Sequence, residues 1–305
     1  MELRHIRYFL AVAEERNVTR AAERLGIGQP PLSQQIHALE KEIGTRLFRR
    51  TGHGVVLTEA GDAFAIDAKR LLQDARQAVE KAQSAARGEL GQLNIGFTGS
   101  AAFNPIVSKL IQAYRQSFPS VRLTLAEGNT VQLLEFLHDG SIDVAFVRLG
   151  GQSPTGVQLD HIATESMKIV LPSTHPLAQK RRVALADLSE DPFVLLPRAV
   201  SPTLHDVILG ACQNAGFVPR EGQQAPQLSS VVNLVAAGFG VSLVPSSVCQ
   251  IRIDGITYAE VLPGNVSIRL ALASHSEPSD VKIRNFLAIA RRLPANEKEL
   301  IFETS

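Results

Sequence analysis

The sequence predicts an N-terminal winged helix-turn-helix, then a long connecting helix, then a larger α/β region. Three observations carry this. Apolar residues recur at helical spacing in three short segments before Gly44, joined by short connections. A helical pattern then runs from Thr58 to about Arg87. Beyond Gly91, strand-like and helix-like segments alternate.

A chain of 305 residues, 45% hydrophobic, has room for two or three domains with full cores. No apolar run approaches the ~20 residues of a membrane span. Glu2, Arg4, His5 and Arg7 interrupt any leader-like segment, so a cytoplasmic location without a membrane partner is expected. Cys212 and Cys249 are the only cysteines and read as buried reduced thiols. The net charge of +1 divides unevenly. Residues 1–58 carry nine Lys and Arg against six Glu, a balance of +3, which leaves −2 for the rest. That asymmetry permits a polyanion at the N-terminus without demanding one.

Leu3, Ile6, Phe9, Leu10 and Ala13 give an amphipathic first helix ending near Asn17. The second runs through Thr19–Leu25, with Asn17 or Thr19 as N-cap and Gly26 as stop. The third opens on Pro30 and Pro31, where a missing N–H matters least, and turns Leu32, Ile36, Leu39 and Ile43 inward. Leu47–Arg50 and Val55–Leu57 then read as two strands around the turn Thr51–Gly54, a wing. Gln29, Ser33, Gln34 and His37 form the outward face of the third helix and suit base edges in a major groove. Arg49, Arg50 and His53 stand where a wing meets the DNA backbone or minor groove. A small helical cap with solvated polar faces is the alternative.

The run "RYFLAVAEERNVTRAAERLGIGQPPLSQQIHALEKEIGTRLFRR", followed by "GVVLTEAG", closely resembles the LysR-type transcriptional regulators. The resemblance implies that Gln29, Pro30, Pro31 and Ser33 begin a recognition helix for double-stranded promoter DNA. Gln34 stands where close relatives often carry arginine, and His53 where a wing arginine is usual. Operator preference is expected to differ accordingly.

Thr58 is a natural N-cap for the long helix, with Glu59 favourably placed against the dipole. Ala60, Phe64, Ala68, Leu71, Ala75, Val79, Ala82 and Ala86 repeat at three- and four-residue steps. Such a stripe fits a coiled-coil seam, or a helix packed on its own domain. The resemblance favours the seam, through which such regulators dimerise, and implies further assembly to a tetramer. RNA polymerase is a further candidate partner.

From Gly91 the expected strands are Leu93–Phe97, Val121–Ala126, Ile142–Val147, Lys168–Leu171, Phe193–Leu196, Val241–Val244 and Ile268–Ala273. The expected helices are Ile106–Gln116, Val131–His138, Thr203–Ala215, Ser229–Ala237 and Val281–Arg291. "GSIDVAFVRL", "DPFVLLPR", "AGFVPR" and "VAAGFGVSLVP" resemble the effector-binding half of the same family, closest to regulators responding to benzoate, muconate and chlorocatechol. This implies a two-lobed, periplasmic-binding-protein-like α/β domain. The expected division is 1–58, 59–87 and 88–305, with lobe I at about 88–161 and 267–305 and lobe II at about 162–266.

Thr98 and Ser100 follow one strand and open a helix, and Thr130 repeats that geometry, so both junctions could meet an anion. Arg148 ends a strand and would aim its guanidinium into the same crevice, a receptor suited to a carboxylate. In the resembled subgroup the positions of Ser100, Thr130, Arg148 and Pro202 surround the effector, and Leu204 replaces an aromatic, enlarging the pocket. Each has a plainer reading: the hydroxyls as helix caps, Arg148 as the partner of Asp143 or another carboxylate, Asp143 as a brace. His161, His175, His205 and His275 lack metal-ligand spacing, so no metal or cofactor is expected. No Ser/His/Asp grouping, carboxylate pair or nucleophile elbow points to an enzyme. A solute-binding protein would account for residues 91–305 but not for the N-terminal module.

Overall fold

The computed structural model describes residues 1–52, 54–148, 155–264, 266–292 and 299–300. Its first compact unit is Met1–Ser84 and its second begins at Ala85. In the first, α1 (Leu3–Glu15) stops at Arg16, whose φ of 52° turns the chain into α2 (Val18–Leu25). The Asn17 side chain caps α2, accepting from the amides of Thr19 and Arg20. After Gly26, α3 (Gln29–Ile43) carries Pro30 and Pro31 in its first turn. The strands β1 (Phe48–Thr51) and β2 (Gly54–Leu57) pair antiparallel as the wing. Gly54 has to be glycine, since a Cβ there would collide with the Arg16 carbonyl oxygen. Val55 N–H donates to that same carbonyl, tying the wing to the first turn.

The helix α4 (Glu59–Ala86) begins at Thr58, whose hydroxyl accepts from Gly61 N–H at 3.0 Å. Its first half belongs to the winged-helix core: Phe9 lies 5.2 Å from Phe48 and 5.0 Å from Phe64 between ring centroids. Ala60, Phe64 and Ala68 pack into that core, which corrects the expected continuous seam. Ile66, Leu71 and Val79 are instead the large apolar residues of α4 left exposed.

The second unit opens with β3 (Gly91–Phe97), α5 (Gly99–Ala102), α6 (Pro105–Ser117), β4 (Val121–Glu127), α7 (Thr130–His138) and β5 (Val144–Val147). There β3 lies between β4 and β5, parallel to both, as the alternating pattern requires. Next comes β6 (Val157–Pro172), a strand of 16 residues where only Lys168–Leu171 was expected. Past it follow β7 (Arg182–Ala184), β8 (Pro192–Leu195), α8 (Pro202–Asn214), β9 (Arg220–Gln224), α9 (Leu228–Ala236), β10 (Ser242–Pro245) and β11 (Ile256–Leu262). The chain continues through β12 (Ser267–His275), α10 (Val281–Arg291) and β13 (Glu299–Leu300).

Two lobes share β6. Its Val157–Ser166 part pairs antiparallel with β12, which pairs on with β5. Its Met167–Pro172 part pairs with β10 and β11 instead. The partner change falls between Ser166 and Met167, inside one strand. Lobe I is cored by Ile95, Leu110, Phe146 and Leu272, with the Tyr114 ring on α6 packed 5.3 Å from the tilted Phe286 ring on α10. Lobe II is cored by Ile169, Phe193, Val232 and Leu243. No helix among the described residues is long and apolar enough to cross a membrane.

Candidate functional site

On the first unit, α3 buries Leu32, Ile36 and Leu39 and leaves Gln29, Pro30, Pro31, Gln34 and His37 exposed, with Ser33 half-buried. Gln29 donates its side-chain amide to the Ser33 hydroxyl at 2.8 Å, one helical turn along, so the two form a single polar unit. Arg49 and Arg50 are exposed on β1, opposite Val56 and Val55. Ser33, His37, Arg46, Arg49 and Arg50 line one groove between α3 and the wing. His53 lies outside the described residues. The groove joins groups that stand apart along the sequence, and it adds Arg46.

In the second unit a cavity of about 400 Å³ is lined from lobe I by Thr98, Ser100, Thr130 and Arg148. These four expected residues therefore do come together. Parallel strands β3, β4 and β5 deliver them, because the carboxyl ends of all three face one crevice. Pro202 does not line the cavity; its neighbours Val200 and Ser201 do. As the first residue of α8, Pro202 starts the helix. Leu204 is 1% exposed inside the lobe II core, so its size does not set the cavity's. Lobe II contributes Leu196 and Pro226–Leu228, which sequence reasoning missed.

Arg148 is 1% exposed and is not free. Its Nη2 donates to Glu165 Oε2 at 2.6 Å and to the Ser100 carbonyl at 3.3 Å, and its Nε donates to the Ser100 hydroxyl at 3.3 Å. Its Nη1 is buried without a partner among the described residues. Asp143 is not the counter-ion: it accepts from Asn94 N–H at 2.6 Å and braces β3. Glu165, on β6, was absent from the sequence expectations. It also accepts from Asn104 Nδ2 at 3.1 Å and from Ser247 N–H at 2.5 Å, so it joins lobe I to lobe II. Burial alone would push its carboxyl up, but the Arg148 charge, together with hydrogen bonding from Ser247 and Arg148, outweighs burial and holds it below the usual carboxylate range. A second tie crosses the lobes, from the Thr203 hydroxyl to the Arg148 carbonyl at 2.7 Å.

The hydroxyls divide by role. Asn129, not Thr130, caps α7, accepting from Gln132 N–H at 2.9 Å. The Thr98 side chain makes no cap hydrogen bond at α5 and lies 3.4 Å from the Ser100 hydroxyl. Thr98, Ser100 and Thr130 are thus not engaged as side-chain caps. Glu127 adds a carboxylate to the cavity rim. The cavity offers hydroxyls and first-turn amides, and Arg148, which also lines it, keeps a buried, unpartnered Nη1 beside a neutral ion pair. Burial pushes the Cys212 thiol up to about 12 and the Cys249 thiol up to about 11, so neither supplies a thiolate near neutral pH.

Residues 3–62 match the family described as "Bacterial regulatory helix-turn-helix protein, lysR family". Residues 86–294 match the "LysR substrate binding domain". The chain belongs to the LysR family of transcriptional regulators. It is 42% identical over 287 residues to the HTH-type transcriptional regulator BudR of Raoultella terrigena, covering 94% of this chain and 99% of that one. The crystal structure of CbnR, a LysR family transcriptional regulator, superimposes with a TM-score of 0.87 at 31% identity, covering 95% of this chain and 100% of that one. Full-length CbnR complexed with its target DNA gives a TM-score of 0.84 at 30% identity, covering 96% and 99%. This chain is thus a DNA-binding transcriptional regulator with an effector-binding domain, and not an enzyme.

Proposed function

We propose that this LysR-family regulator is controlled by a small carboxylate bound between the lobes of its second unit. Arg148, Ser100, Thr98 and Thr130 are its receptor groups, with the α8 start at Pro202 shaping the far wall through Val200 and Ser201. The observation carrying this reading is the buried, unpartnered Arg148 Nη1 beside a 400 Å³ cavity rimmed by hydroxyls. A carboxylate oxygen reaching that nitrogen, with a small movement of the Ser100 hydroxyl, would satisfy a donor that is otherwise costly to bury. Carboxylates of aromatic metabolism fit the sequence's resemblance to regulators responding to benzoate, muconate and chlorocatechol.

The neutral Arg148–Glu165 pair and the Glu127 carboxylate favour a second reading, a polar uncharged effector held by hydroxyls and amides. Thermal-shift titration of the full chain with small aliphatic and aromatic acids and their amides separates the two. A ligand at a hundred times its dissociation constant stabilises the native state by ~2.7 kcal/mol. Acids alone shifting the transition supports the first reading, and amides doing so equally supports the second.

On the DNA side, Gln29, Pro30, Pro31, Ser33 and Gln34 would enter a major groove of promoter DNA, while Arg50 and His53 would meet the backbone from the wing. The exposed Leu71 and Val79 of α4 would meet a second copy, giving a dimer able to read a two-fold site, and dimers would pair as tetramers. RNA polymerase would be the further partner through which the effector sets transcription.

A further inference from the structure

The start of the wing is held to α3 by one carboxylate. Glu40 is only 9% exposed although it lies on α3, whose outer face is polar. Its Oε1 accepts from the backbone amides of Leu47 at 2.8 Å and Phe48 at 3.1 Å. These amides open β1, and Arg49 and Arg50 follow immediately. The Oε2 lies 3.4 Å from Nδ1 of His37, on the exposed side of the helix.

The same two peptides are gripped from their other side. The Leu47 carbonyl accepts from Thr58 N–H at 2.9 Å, and the Thr58 hydroxyl donates to the Arg46 carbonyl at 2.8 Å. Gly61 packs so closely that a Cβ there would collide with the Leu47 carbonyl oxygen. Two successive peptides, Arg46–Leu47 and Leu47–Phe48, thus tie the end of α3 and the start of α4 to the first strand of the wing.

We infer that Glu40 is a positioning residue for DNA binding: it holds Arg49 and Arg50 in register with Ser33 and His37, so that helix and wing engage one duplex together. All five side chains line the same groove, with Glu40 among the residues lining it. A negative charge near a phosphate-binding surface works against affinity by itself. Here the charge is turned onto two backbone amides, which would otherwise be left unsatisfied.

What those amides need is an oxygen at the right reach. Glu40→Gln keeps an acceptor of the same length, whereas Glu40→Asp keeps the charge but falls one methylene short. The test uses the full chain and a duplex it selects from a random-sequence library, with affinity measured across a range of salt. Circular dichroism verifies folding. The Gln variant is expected to bind within about twofold of wild type. The Asp variant is expected to lose about tenfold, near 1.4 kcal/mol, with a salt slope lower by about one for each phosphate that the displaced wing no longer neutralises. Replacing Arg50 with alanine should cost much less in the Asp background than in wild type, because the wing is already displaced. An Asp variant of wild-type affinity, or an Arg50→Ala cost identical in both backgrounds, overturns the inference. If the Asp variant does not fold, the Arg50→Ala cost in a folded Glu40→Ala background decides: a cost much smaller than in wild type supports the inference and an identical cost overturns it.

Discussion

Arg148 and Glu165 form a buried ion pair, Nη2 to Oε2 at 2.6 Å, with side chains 1% and 0% exposed. Arg148 directly follows β5 and Glu165 lies on β6, and β12 separates those two strands in the sheet. Glu165 carries the pair across to lobe II through the Ser247 amide. The residue most suited to receiving an effector is therefore also part of what joins the lobes.

Removing the guanidinium strands a buried carboxylate. Arg148→Ala is expected to destabilise the second unit by ~3–5 kcal/mol, the usual cost of breaking a buried pair on one side. Scanning calorimetry of the full chain should show that unit's transition moved well down while the winged-helix transition stays. An unmoved second-unit transition would show that Glu165 finds other compensation. It also follows that loss of effector binding in this variant would not by itself identify an anchor.

The pair sets an acid limit. Glu165 titrates below its unfolded value, so the stability it contributes is complete above roughly pH 4.3, the ordinary value for glutamate. That stability is lost as the pH falls through the lower, folded value. Glu165→Gln should be less stable near neutrality and lose less on acidification through this window. Equal acid slopes for wild type and variant, from denaturant melts at each pH, would contradict the assignment.

Much of this was legible in the sequence. Both helix boundaries of α10 were, because Asp280 caps it and Ile283, Phe286, Leu287 and Ala290 recur on one face. Thr98, Ser100, Thr130 and Arg148 were legible as one cluster because each follows a strand of the parallel set. The Arg148 partner was not. Glu165 sits in the polar run Thr164 to Ser166, which breaks hydrophobic alternation, so β6 was expected to start only at Lys168. Its burial comes from pairing with β12 far along the chain. Glu40 was hidden for a related reason. On α3 it looks like a solvent-facing charge, and only the reversal after Gly44 brings β1 onto it.

On DNA, Ser33→Ala with Gln34→Ala is expected to relax sequence discrimination, by ~1–3 kcal/mol at a contacted base. Arg50→Ala should weaken binding to all duplexes alike and lower the salt slope by about one. Competition binding with the selected duplex and its point mutants checks both. Unchanged sequence preference in the double variant would mean that the bases are read from elsewhere.

Leu71 is 43% exposed and Ala75 half-buried on the outer half of α4. Substituting both with Asp should give monomers, since like charges would face each other across a dimer seam. Sedimentation equilibrium of the full chain reads this directly. A variant that still dimerises would place the interface off this stretch of the helix.

Arg148→Lys puts the carboxylate reading to its most direct test. Lysine retains a positive charge for Glu165, so the fold is kept, but it lacks the nitrogen that corresponds to Nη1. The measurement is calorimetric titration of the full chain, wild type and variant, with those acids and amides that shift the wild-type melting transition. An acid is expected to bind while its amide does not, and Arg148→Lys to weaken the acid by about tenfold or more, the worth of one charged hydrogen bond of ~1.5–3 kcal/mol. An acid bound equally well by a folded Arg148→Lys variant, or an amide bound as tightly as its acid, would contradict the carboxylate reading.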